Sequence, residues 1–299
     1  MVQLFVKRAL CIGLTVVLLM MLLIPLSFAD GDSSINIMLL GTDNFGYFGV
    51  QVGEAEEMSR ADAIYIISIQ PGNKSIKLLS IERDYLAVLP DNLGENKLGT
   101  VTYFGGPKMA IDVINDMFDL DIRFYAHIDI NNLITAVDIY GGVDVTINPD
   151  EVDEVNAFIA DIKPIDVPPV VAGNNHLNGL QVWSFMGVRN HEMDSIESNA
   201  QRNERQQRVL TAFLEQAKKK DLSALLTIIL EVLPLIDTNI STSELVDLTR
   251  KVVNIDIDQI DYQRTPFGPY TIKRVNMHRV VVPDDMISEI KFIHDFLKQ

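Results

Sequence analysis

Residues 61–70 are apolar at both alternating positions, and residues 75–83 form a second run of β-favouring side chains. Between them, Pro71-Gly72-Asn73-Lys74 carries turn chemistry. The pattern predicts a hairpin whose first strand is buried on both faces and is therefore central to its sheet. A loop of two or four residues pairs Ile69 with Ile76, and the same register sets Asp62 opposite Arg83. Asp62 shares its side with Ile64 and Ile66, and Arg83 shares its side with Leu79 and Ile81. An acid and a base thus stand at the open end of an apolar face. A structural ion pair closing the hairpin is one reading. Arg60, Glu82 and Asp84 crowd the same end and favour another, a polar site built on a rigid scaffold.

Ile35 to Gly41 predicts a first strand, with Asp43 just past its end and a solvated flap over residues 44–58. Pro107 opens a helix at its first position, and Met109, Ile111, Ile114 and Phe118 form its core-facing stripe. Phe124 to Ile130 reads as a strand, Asn131 to Ile139 as a helix and Val143 to Ile147 as a strand, with His127 a satisfied or exposed strand residue. Residues 149–175, rich in Pro, Asp and Asn, show no clear period and read as a long loop. Leu177 to Val188 predicts a short helix with Arg189 at its end. A longer helix begins at Asn199. Steps of about 100° place Arg202, Gln206, Val209, Phe213 and Ala217 on one stripe, Arg205 at its margin and Arg208 opposite. Arg208 and Lys218 to Lys220 read as a solvated face. Two further helices follow, Leu222 to Leu235, nearly uniformly apolar and expected to be buried, and Ser243 to Val253. Ile260 to Pro266 and Lys273 to Pro283 read as strands, and Asp284 to Leu297 as the closing helix. Strands alternating with helices predict an α/β fold: a mixed central β-sheet covered by helices on both faces, in a single domain over residues 30–299.

Ahead of this domain, Ala9 to Ala29 is an uncharged apolar run, about long enough to cross a bilayer as a helix. Lys7 and Arg8 precede it and acidic residues follow, which places residues 1–8 in the cytoplasm and the domain outside. Ser27-Phe28-Ala29 also suits a cleavage site, so a secretory signal competes with a transmembrane anchor over residues 9–29. The anchor is preferred because the run is long for a signal core. The only cysteine, Cys11, lies within it, so the remainder forms no disulfide.

The chain carries 25 basic and 41 acidic side chains, a net charge of −16. Setting aside Lys7 and Arg8 leaves 23 basic against 41 acidic beyond the apolar run, a balance of −18. Nucleic acid is a poor partner for such a surface. Arginines concentrated within an acidic domain imply a local anion site. No G-x-S-x-G, P-loop or zinc-ligand spacing is present.

The run Ser59-Arg60-Ala61-Asp62-Ala63, followed after a short turn by Ser80-Ile81-Glu82-Arg83-Asp84-Tyr85, resembles the R-S-D-T and S-I-P-R-D segments of the LytR-CpsA-Psr family of cell-envelope proteins. In the family's order come Asn36 to Asp43, Tyr103 to Pro107, Gly141 to Val145, His176 to Gly179, and Arg202-x-x-Arg205-Gln206 for R-x-x-R-Q. The resemblance spans residues 35–218. It implies a pyrophosphate-binding shell of Arg60, Arg83, Arg189, Arg202, Arg205 and Gln206, with Arg83, Arg202, Arg189 and Asp62 catalytic. It also implies Mg²⁺ held by Asp43 and Asp62. Guanidinium forks bind phosphate oxygens bidentately, and carboxylates suit a hard cation. The implied activity is that of a phosphotransferase moving a glycopolymer from a polyprenyl pyrophosphate carrier to peptidoglycan at the outer face of the cell membrane, with a pyrophosphatase side activity. Three positions depart from the pattern. Gly99 stands where asparagine is usual, Gly187 where the first of two arginines is usual, and Asn199 where an acid is usual. They carry the alternative, a diverged relative that binds polyprenyl phosphate or cell-wall polymer without turning it over.

Overall fold

The computed structural model describes residues 34–42, 60–70, 75–161, 167–188, 195–217, 219–220, 222–241, 244 and 260–298. The predicted hairpin is its centre. Strand β2 (Ala61–Gln70) is buried at every position and pairs antiparallel with β3 (Ser75–Ile81), Ile69 opposite Ile76. On its other side β2 pairs antiparallel with β1 (Ile35–Thr42), which in turn runs parallel to β6 (Phe124–Asp129). Strand β10 (Ile260–Thr265) lies parallel to β3, and the short β9 (Asp237–Thr238) closes the far edge. The six-stranded sheet therefore reads β10-β3-β2-β1-β6-β9, mixed in direction as its pattern predicts, and β4 (Leu86–Leu89) and β5 (Gly94–Lys97) form a separate hairpin after β3.

Side-chain alternation divides the core into two layers. Leu39, Tyr65, Ile67 and Leu78 face one way, against α2 (Ile130–Tyr140), α4 (Gly179–Gly187), α5 (Ser195–Ala217) and α6 (Leu222–Val232). Met38, Leu40, Ile64, Ile66, Leu79 and Ile81 face the other way, against α1 (Val101–Phe118) and the closing helix α7 (Met286–Lys298). Helix α1 kinks at Gly105 and Gly106, and its regular part begins at Pro107, where a missing N–H costs nothing. Helix α7 is tied to the sheet at its C-terminal end, where the Phe296 carbonyl accepts from Lys77 Nζ at 2.8 Å and the Leu297 carbonyl accepts from Gln70. Cationic and amide donors there satisfy carbonyls with no partner inside the helix. Burial lowers the Lys77 pKa, with the Asp261 charge opposing it.

Four expectations need correction. Residues 149–175 are not one loop: Pro149–Glu151 forms a 3₁₀ turn leading into helix α3 (Val152–Asp161), and β8 (Gly173–Leu177) pairs with β7 (Val143–Ile147). The signal was Asn148 with Glu151, a reciprocal capping box ahead of Val152, Val155 and Ile159. Residues 270–283 are a hairpin rather than one strand, β11 (Tyr270–Val275) and β12 (His278–Pro283), turned at Asn276 and Met277, both at positive φ. Helix α5 starts at Ser195, one turn before Asn199. Helix α6 is buried along one face only: Leu225, Ile229 and Val232 are covered, while Leu230 is 68% exposed.

The apolar run 9–29, Asp43, the flap 44–58, the turn 71–74, Arg189, and all of the helix expected over 243–253 except residue 244 lie outside the described residues. Among the described residues no helix is long and apolar enough to cross a membrane.

Candidate functional site

Arg83 sits within the turn that follows β3, at the end of the sheet. The turn closes with Tyr85 N–H donating to the Glu82 carbonyl at 3.2 Å. It is pinned from beneath, because Tyr85 is buried and its hydroxyl lies 2.5 Å from Thr265 Oγ1 and 3.2 Å from Glu289 Oε1. Burial pushes the Tyr85 phenol far above its ordinary pKa, so it stays a neutral donor. From this fixed turn Arg83 Nη1 donates to Asp62 Oδ1. The predicted pairing of these two residues is thus present, with Asp62 only 2% exposed. Its second oxygen, Oδ2, is buried and accepts from no group among the described residues. Asp84 lies beside the pair, 2.7 Å from Lys97 Nζ and 3.8 Å from Arg83 Nε.

Gly99 supports this turn from the side. Its N–H donates to the Arg83 carbonyl at 2.8 Å, and a Cβ built on it would stand 2.6 Å from the Ala61 carbonyl oxygen and 3.1 Å from Arg83 Cβ. The asparagine expected here from the family pattern has no room, since both obstacles belong to the scaffold of the site. Gly99→Ala is therefore expected to lower stability by about 1–3 kcal/mol through overpacking. Thermal unfolding measures this, and an unchanged midpoint would show that the turn yields.

Helix α5 brings the second group of cations. Its predicted stripe is buried as expected, with Arg202, Gln206, Val209, Phe213 and Ala217 all covered. Gln206 is fixed by Tyr65, whose hydroxyl donates to Gln206 Oε1 at 2.6 Å across the helix–sheet interface. One turn earlier, Arg202 is 6% exposed, and its Nε and Nη1 are buried with no acceptor among the described residues. It reaches a small cleft, open to solvent, at the ends of β2, β3 and β10. Asp62, Tyr65, Ser80, Glu82, Arg83 and Arg264 line the same cleft.

The remaining predicted shell residues are placed otherwise. Arg60 is exposed at the head of β2, and Arg189 and Asp43 lie outside the described residues. Arg205 does not line the cleft. Its guanidinium is 1% exposed and turns toward α3 and α4, donating to the Val188 carbonyl at 2.7 Å and lying 3.5 Å from Glu151 Oε1. Arg208, expected on a solvated face, also pairs with Glu151, donates to the Thr146 carbonyl at 2.9 Å and lies 5.0 Å over the Phe185 ring. Lys220 likewise covers an aromatic ring, Tyr140, at 4.7 Å. Long cations at a helix margin cover apolar surface before they reach solvent, which the helical wheel does not reveal. Burial raises the Glu151 pKa, but the Arg208 and Asn148 hydrogen bonds and the two guanidinium charges outweigh it and hold the carboxyl below its usual range. His127 is satisfied, with Nε2 2.8 Å from Thr42 Oγ1 and Nδ1 3.5 Å from Asp237 Oδ2.

One cleft residue went unnoticed in the sequence. Arg264, on β10, faces the cleft and pairs with Glu82 at 2.6 Å. It falls on the alternating positions of a predicted strand, but its partner lies 182 residues away, so only tertiary structure brings it to the site. Among the described residues no group of three or more His, Cys, Asp or Glu gathers as a metal site. The buried, unpartnered Asp62 Oδ2 nevertheless has the chemistry of one hard-cation ligand.

The model of the LytR_cpsA_psr family matches residues 23–291. A polyisoprenyl-teichoic acid–peptidoglycan teichoic acid transferase, TagU of Bacillus cereus (strain AH820), is 27% identical over 158 residues, 53% of this chain and 45% of that protein. Its namesake in Bacillus mycoides (strain KBAB4) is 24% identical over 221 residues, 74% and 65% of the two chains. The chain thus spans about half the length of the curated relatives it matches. Protein gbs0355 of Streptococcus agalactiae superposes with a TM-score of 0.70 at 21% identity, covering 89% of each chain. YwtF (TagT), solved with bound octaprenyl pyrophosphate lipid, superposes with a TM-score of 0.64 at 18% identity, covering 92% of this chain and 94% of that one. These likenesses establish the fold.

Proposed function

Because the chain belongs to the LytR-CpsA-Psr family, we propose that it moves a glycopolymer from a polyprenyl pyrophosphate carrier to a peptidoglycan hydroxyl. The observation that carries this reading is Arg202. A buried guanidinium stays charged, and buried donors require acceptors. Nε and Nη1 have none among the described residues, and Arg202 lines the cleft, so an anion with several oxygens is the complementary ligand. A pyrophosphate supplies them, and the names of the relatives say what it would carry.

In this reading the acceptor hydroxyl attacks the phosphorus next to the sugar, a new P–O bond forms, and the bridging P–O bond breaks to release polyprenyl phosphate. Arg202 and Arg83 hold the phosphoryl oxygens in place and stabilise the charge that builds on them. Asp62 keeps Arg83 oriented through Oδ1 while offering Oδ2 to the cleft. With Asp43 it would hold Mg²⁺, which neutralises pyrophosphate charge when bound. The location proposed is the outer face of the cell membrane, with residues 9–29 as anchor.

The test uses the full chain in detergent with a synthetic polyprenyl pyrophosphate-linked oligosaccharide and peptidoglycan fragments, with Mg²⁺ or with a chelator. Metal-dependent release of polyprenyl phosphate is expected, and Asp62→Asn should lose it. Carrier binding without release supports the second reading, a binding protein, which the packing of Gly99 against Arg83 favours because the usual asparagine cannot return there. No binding overturns both.

A further inference from the structure

Which cations share a face with Arg202 follows from strand alternation. Leu78 and Tyr262 pack in the core layer beneath α5, and Tyr262 pairs with Leu78 and Arg264 with Ser80 across β10 and β3. Period-two alternation therefore carries Ser80 and Arg264 to the α5 side, and Glu82 with them. Leu79 and Ile81 belong to the opposite layer, and Arg83 continues their side. The cleft thus lies where the two faces of the sheet meet at the strand ends. Arg83 approaches it from one face, and Arg202 and Arg264 from the other.

Burial pushes the Tyr262 phenol up, and Ser80, followed by the Arg264 and Arg202 charges, draws it down, with the Glu82 charge raising it slightly. Arg264 is bound there at one place only among the described contacts, with Nη2 2.6 Å from Glu82 Oε2. Its side chain is 34% exposed, against 18% for Glu82. The pair is partly buried, and this contact uses one of the five N–H donors of the guanidinium, so Arg264 can bind a second acceptor without first leaving Glu82.

We propose that Arg264 is a further ligand of the anion in this cleft, held in readiness by Glu82, which competes with the anion for its guanidinium. The proposal rests on the reading of the cleft as a phosphate site. Glu82 stands where the S-I-P-R-D pattern has proline, so the pair Glu82–Arg264 gives this chain its own means of setting affinity. With Arg264 engaged, phosphate oxygens receive guanidinium donors from both faces of the sheet. With Arg264 returned to Glu82, the leaving phosphate loses one of them.

The experiment is calorimetric titration of the full chain with inorganic pyrophosphate in metal-free buffer, for wild type, Arg264→Gln, Glu82→Gln and the double variant, with Arg202→Gln as reference. Loss of one charge-assisted contact predicts about tenfold weaker binding for Arg264→Gln, ~1.4 kcal/mol. Glu82→Gln should tighten binding several-fold, and most of that gain should vanish in the double variant. That non-additivity separates release of Arg264 from the simple removal of a negative charge, which would persist in both backgrounds. Unchanged affinity in Arg264→Gln alongside weakening in Arg202→Gln overturns the role of Arg264 alone. So does an equal gain from Glu82→Gln in both backgrounds. A wild-type chain that binds no pyrophosphate overturns the phosphate site itself. Unfolding midpoints of all variants show that each titrated protein is folded.

Discussion

Arg202→Gln is expected to lower turnover of a polyprenyl pyrophosphate substrate by at least a hundredfold while leaving the thermal midpoint unchanged or raised. The two signs share one cause. In the protein alone, a cation 6% exposed keeps Nε and Nη1 without acceptors among the described residues, and an unsatisfied buried group costs about 1–3 kcal/mol. Glutamine removes the charge and two of the donors, so folding gains. In the reaction the same donors meet oxygens on which charge is developing, and losing one such donor costs about 10²–10³ in rate. Strain held in the free protein and released on ligand binding is the usual relation between a site and its stability. Steady-state turnover together with calorimetric unfolding tests this. Near-normal turnover would remove Arg202 from the chemistry, and a fall of the midpoint by many degrees would show that its guanidinium is structural.

The sheet and one half of the site were legible because they depend on short-range pattern. β2 is apolar on both faces, and a loop of two or four residues is enough to set Ile69 against Ile76 and Asp62 beside Arg83. The stripe from Arg202 to Ala217 was equally readable, since a helix repeats its face whatever it packs against. The cleft's other half was not. Arg264 reaches Glu82 only because β10 returns to lie parallel to β3, and no local spacing encodes that crossover. Helix α3 was missed for a different reason: the Asn148–Glu151 box was hidden by a Pro-Asp composition that reads as loop. Arg205 shows the limit of a motif. The pattern places it in the shell with Arg202, three positions earlier. Three residues are about 300° of helix, which turns its guanidinium toward Val188 and Glu151 instead.

Glu151→Gln is accordingly expected to destabilise the fold strongly and spare the chemistry. Glu151 is 7% exposed and stands against two guanidinium groups, Arg205 and Arg208. Removing its charge takes a counter-ion from two guanidinium groups, the buried Arg205 among them, and breaking a buried pair costs about 3–5 kcal/mol. The midpoint should then fall by roughly 10 °C for a domain of this size. The effect has a pH window. The partners of Glu151 hold its folded pKa below the usual carboxylate value, so its contribution is complete above the unfolded pKa, about 4.3. That contribution is lost as pH falls from there through the folded pKa. The difference in midpoint between wild type and Glu151→Gln should therefore be constant from pH 7 to about 5 and shrink at lower pH. Below its midpoint the variant should keep turnover within about tenfold of wild type, because neither Glu151 nor Arg205 lines the cleft. A folded variant with no turnover would return Arg205 to the anion shell that its motif implies. A difference in midpoint that does not change with pH would show that Glu151 supports the helix through its capping contacts, and that its charge adds nothing.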